Sequence, residues 1–148
     1  MTSYSTSLPK VILAITAGGI IGGGLHFLFS SLYHYLTWGR VPEHTYYILL
    51  ASLAGAFLGL LAIGGPLWAL LHLANLRRPI CAFVAGAISP IVALIGIGVF
   101  SPGDFRYIPA GFFSVDLPMM MIVSAIVGVA IWKLAYSPST DVARGTLP

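Results

Sequence analysis

Four stretches of the sequence, 10–36, 46–73, 79–100 and 118–136, are long, apolar and almost free of charge. A helix rises 1.5 Å per residue, so crossing a hydrocarbon core about 30 Å thick takes roughly 20 apolar residues. Each stretch meets or approaches that length. A soluble fold is excluded by the remainder: charged residues are 7% of the chain, against about a quarter in ordinary soluble domains. The expected fold is an all-α membrane protein, four transmembrane helices in an up-down bundle of two helical hairpins. Residues 1–136 form the membrane domain and 137–148 a polar cytoplasmic tail. The first run exceeds a secretory h-region and lacks a clean small-x-small cleavage site, so it reads as a retained span.

Charge gives the orientation. An even number of crossings puts both termini and the connection 74–78 on one side, with Lys10, Arg77, Arg78, Lys133 and Arg144. The other side holds only Arg40 and Arg106, together with Glu43, Asp104 and Asp116. The positive-inside rule makes the first side cytoplasmic, and a bacterial inner membrane is the expected setting. Tyr33, Tyr35, Trp38, Tyr46, Tyr47, Trp132 and Tyr136 sit at the run ends, where amphipathic rings suit the headgroup layer.

Helices in lipid associate by close packing, which glycine favours. Gly18 with Gly22 and Gly19 with Gly23 form two GxxxG pairs in span one, and Gly55 with Gly59 forms a third in span two. These are the expected helix-packing seams, within the chain or towards another chain. Pro66, after Gly64 and Gly65, and Pro90, after Ser89, each remove a backbone donor inside a span. Kinks are therefore expected in helices two and three, leaving the carbonyls of Ala62 and Gly86 to be satisfied. Ser89 can satisfy its neighbour locally, or line a site. KVILAITAGGI from Lys10 aligns with RPICAFVAGAI from Arg78, which is either a duplicated hairpin or the restricted alphabet of membrane helices.

His26 is the ionisable residue placed deepest, about 5 Å from the middle of span one. Such a residue is a functional candidate because its burial is costly: a packing histidine, a haem or quinone contact, or a proton relay. His72 lies on the opposite side of the midplane, so a haem shared by these two is ruled out. His34, Glu43 and His44 can converge near the outer surface as a weak metal set. The connection 101–117 is too apolar for a free loop, and Phe105, Arg106, Tyr107, Phe112 and Phe113 form an expected partner-docking surface. Asp116 before Leu117 and Pro118 resembles a helix cap.

No nucleophile with an adjacent base, no HExxH and no phosphate-binding glycine loop occurs. The basic residues are too scattered for nucleic acid, and the single Cys81 excludes an intrachain disulfide. The expected function is a non-catalytic membrane protein, an accessory or structural subunit packing against other membrane chains, with no cofactor predicted. A small oligomeric channel or transporter is the alternative, and a haem or metal membrane enzyme a third reading. Polar residues inside the spans are sparse, which weighs against a conducting path.

Overall fold

The computed structural model describes residues 4–41, 43–100 and 112–138. It is helical almost throughout, with four helices long and apolar enough to cross a membrane. Helix α1 is Leu8–Trp38, two residues longer at each end than the apolar run. It starts at extended Ser7 with Pro9 in its first turn, and stops where Gly39 takes a left-handed conformation (φ 67°) and its N–H bonds to Tyr35 O. Glycine adopts that conformation at no steric cost, which makes it a natural helix terminator.

The second span is α2 (Thr45–Gly59), a π turn at Leu60–Gly64, and α3 (Gly65–Leu73). The π turn is where the sequence carries Gly64-Gly65-Pro66. The Gly65 N–H reaches back five residues to Leu60 O, so one residue is accommodated just before the proline that cannot donate. Helix α4 is Pro79–Phe100 with Pro90 inside it. Here the carbonyl that proline deprives of a partner, Gly86 O, accepts a hydrogen bond from Ser89 Oγ at 2.8 Å. Ser89→Ala is expected to cost about 1–3 kcal/mol, the usual penalty for an unsatisfied buried carbonyl. Thermal melting of the detergent-solubilised chain measures it.

The fourth span begins earlier than the apolar run, with a π turn at Phe112–Asp116 that leads into α5 (Leu117–Ala135). Asp116 is accordingly no cap. Its backbone is helical and its side chain makes no capping bond, because the helical path already continues upstream. Tyr4–Ser5 (β1) and Ser137–Pro138 (β2) form a short antiparallel pair, Tyr4 opposite Pro138. The start of the tail is thus tied to the N-terminal segment.

Neighbouring helices run antiparallel. A Cβ on Gly19 would meet the Phe57 ring, and one on Gly23 would lie 2.7 Å from Leu53 Cα, so α1 and α2 ascend and descend together. Helix α1 also meets α5: a Cβ on Gly18 would lie 2.8 Å from Ile131, and one on Gly22 would lie 3.2 Å from Val127. Gly86 and Gly128 lock α4 to α5, where added Cβ atoms would strike the carbonyls of Ser124 and Ala82. The packing order is therefore α2, α1, α5, α4, and α4 closes back onto the π turn and α3. Helices α2 and α4 have at most a marginal contact.

Small residues point inward and large ones outward. The most buried apolar residues are Ala14, Val123, Ala125, Val127, Ala135 and Tyr136, whereas Leu28, Leu58, Leu61, Leu70, Ile95 and Ile122 are exposed to the surroundings. That inversion suits a lipid solvent, in which apolar side chains gain nothing by leaving the surface and backbones gain by close approach.

Candidate functional site

The bundle encloses a cavity of about 620 Å³, within the size range of small-molecule sites. It is bounded by all four spans: Ala14, Gly18, Gly22 and His26 from α1, Ser52, Gly55 and Gly59 from α2, Trp68 from α3, Gly86, Ser89 and Ala93 from α4, and Val123, Ser124 and Val127 from α5. Its α1 lining runs from Val11 to His26, about 22 Å along the axis. Because α2 and α4 barely touch, the wall is missing between them, and the cavity faces the surroundings there. At the other end α4 packs on the π turn and α3 and closes it.

The open wall explains Gly55 and Gly59. A Cβ added to either meets nothing within 4 Å, unlike Gly18, Gly19, Gly22 and Gly23, which face neighbouring helices closely. Gly55 and Gly59 line the cavity, so within the chain this GxxxG pair is a lining and no seam. The missing side chains here leave the space open.

His26 stands at the open end. Its Nδ1 lies 2.9 Å from Ser52 Oγ, and Ser52 is the buried polar residue of α2, 8% exposed. The antiparallel α1–α2 register puts the two opposite each other. Ser89, also lining the cavity, has its hydroxyl committed to Gly86 O. Polar groups around the cavity thus mostly satisfy one another.

The inner end is floored by a cluster that the sequence did not reveal as a unit. Tyr136, Ala14 and Ala135 form its core, with Trp68, Ile131 and Trp132 packed against them. Trp68 stacks on His72 at 5.3 Å, and His72 on Tyr136 at 6.0 Å. Arg77 Nη2 lies 3.4 Å from His72 Nε2; a guanidinium only donates, so Nε2 accepts. The His72 proton then sits on Nδ1 and is donated to Tyr136 Oη, 2.8 Å away. Trp132 Nε1 donates to Arg77 O at 3.1 Å, tying α5 to the connection after α3. Trp68 Nε1 is buried and has no acceptor among the described residues. The signal for this cluster was present: Trp68 and His72, and Trp132 and Tyr136, are both i, i+4 pairs at the same membrane face.

Tyr136→Phe is expected to remove about 1 kcal/mol with the His72 bond, measured as a lower melting temperature of the solubilised chain.

The outer residues are separate. His34 Nδ1 lies 3.1 Å from Arg40 O, and His44 packs edge-on to Tyr47 at 5.9 Å. Among the described residues no three His, Cys, Asp or Glu side chains gather to hold a metal, Glu43 included. Phe112 and Phe113 pack edge-to-face at 5.5 Å, and Phe113 is 56% exposed. Phe105, Arg106 and Tyr107 lie outside the described residues. Comparison with known proteins finds no matching family, no matching curated protein and no matching solved structure.

Proposed function

We propose that this chain is a small non-catalytic accessory protein of the membrane. Its working part is the side-opening chamber, which holds an apolar molecule within the bilayer. In this reading the spans form an up-down bundle bent at the π turn and at Pro90. The termini face the cytoplasm of a bacterial inner membrane, in keeping with Lys10, Arg77, Arg78 and Lys133 at one end and Glu43 and Asp116 at the other. The outer segment with Phe112 and Phe113 contacts other membrane chains.

The cavity is the observation that supports this reading. An apolar space of about 620 Å³ leaves its lining without dispersion contacts when empty, so an apolar occupant is favoured there. Such a chamber, open to lipid on one side, is filled in the membrane. A conducting path is the weaker alternative because it needs a continuous polar lining. Here Ser52 bonds to His26 and Ser89 to its own helix.

Purification of the tagged chain in a gentle detergent, with mass spectrometry of protein and lipid extract, tests the accessory role. Larger membrane chains in fixed stoichiometry are the expected result. A homo-oligomer alone that conducts ions in planar bilayers would contradict it.

A further inference from the structure

We infer that the molecule held in the chamber is an uncharged lipid of the prenylated-quinone type, whose ring carbonyl accepts a hydrogen bond from His26 Nε2–H. This rests on the chamber reading above and names its occupant.

The tautomer follows from Ser52. Its hydroxyl is buried, and its one hydrogen bond among the described residues is to His26 Nδ1. If Nδ1 carried the proton, the serine hydrogen would lack an acceptor in an apolar interior, at a cost of about 1–3 kcal/mol. Ser52 therefore donates to Nδ1, and the imidazole proton lies on Nε2. No second hydrogen bond to His26 is found among the described residues, and His26 is one of the residues that line the chamber. The chamber thus presents one fixed donor at its open end, which calls for an acceptor on the occupant.

Depth selects the acceptor. His26 is three residues from the midpoint of α1 (Leu8–Trp38), about 5 Å along the axis, and its partner Ser52 is seven residues from the midpoint of Thr45–Leu73, about 10 Å, so the pair lies within the hydrocarbon. Phospholipid ester carbonyls lie at the edge of the hydrocarbon, about 15 Å from the midplane, and are held there by a charged headgroup. A carbonyl at the depth of His26 belongs to a molecule without such a group. A quinone ring meets this requirement, and its prenyl chain matches the small-residue lining that continues past Gly59 towards Trp68. The gap between α2 and α4 opens at that depth, giving entry from the bilayer interior.

The test uses the full chain in nanodiscs, with decyl-ubiquinone and the carbonyl-free dodecylbenzene as probes and empty nanodiscs as the partition control. The expected result is retention of both probes. His26→Leu weakens decyl-ubiquinone about tenfold and leaves dodecylbenzene unchanged, and His26→Gln, which keeps an N–H donor, stays within about threefold of the parent. The tenfold figure corresponds to about 1.4 kcal/mol, one hydrogen bond. Infrared spectra of quinone bound to the unaltered chain give a second reading independent of any variant: a carbonyl stretch shifted down from that in lipid supports the bond, and an unshifted one overturns it. Equal retention of decyl-ubiquinone by His26→Leu and the parent overturns the inference and leaves the chamber standing. Retention of neither probe above empty nanodiscs overturns both.

Discussion

Replacing Gly86 or Gly128 with alanine is expected to destabilise the bundle more than any other single-methyl change. A Cβ at Gly86 is driven into the Ser124 carbonyl and one at Gly128 into the Ala82 carbonyl. Backbone cannot step aside as a flexible side chain can, so α4 and α5 must separate along their seam. Overpacking costs about 1–3 kcal/mol when side chains absorb it, and these sites fall at or beyond the upper end. For a domain of this size that is a loss of about 10 °C in melting temperature. Gly23→Ala should behave similarly, since its Cβ would lie 2.7 Å from Leu53 Cα. Gly24→Ala, one residue on with nothing within 4 Å, should be neutral or slightly stabilising, because alanine is the better helix former. Melting followed by size-exclusion of the solubilised chain compares all four. Equal losses at Gly23 and Gly24 would contradict the seam geometry.

The second large effect concerns binding, with the fold preserved. Leucine at Gly55 or Gly59 projects into space where a Cβ meets nothing within 4 Å, and both positions line the chamber. Stability should stay within about 0.5 kcal/mol of the parent, as for substitutions without a steric conflict. Affinity for an apolar occupant should fall at least about tenfold, since the added side chain takes the volume that the ligand needs. Gly86 and Gly59 therefore form opposite cases: one glycine permits contact between helices, the other keeps them from filling a space.

That contrast marks the limit of what was legible in the sequence. Four spans follow from hydropathy because burial in lipid demands length and the absence of charge, both of which are local properties. Glycine at i, i+4 announces a flat strip on a helix but does not say what the strip faces. Gly19 and Gly23 face α2, while Gly55 and Gly59 face the chamber, although all four are spaced alike. Pro66 announced a break in the helix; that the chain takes it up as a π turn over Leu60–Gly64 depends on Gly65 reaching Leu60 O, which spacing alone does not specify. Asp116 shows the opposite error. A local cap signature was overridden because the helix extends upstream through Phe112.

The site was partly legible. His26 stood out by depth, but its partner Ser52 emerges only from the antiparallel register of α1 and α2, which places the two opposite each other. Of the inner cluster, the sequence marks Trp132 and Tyr136 as separate interfacial anchors, because each ring, taken alone, suits the headgroup layer. Only tertiary packing shows that Trp68, His72, Arg77, Trp132 and Tyr136 interlock to floor the chamber.

The central claim is that this bundle keeps an apolar molecule in its side-opening chamber. Native mass spectrometry of the full chain, ejected from mild detergent beside Gly59→Leu, measures it most directly. A discrete non-covalent adduct of lipid-soluble mass on the parent chain, lost from the equally folded variant, is the expected result. A parent chain that emerges bare, or a variant that carries the same adduct, would contradict it.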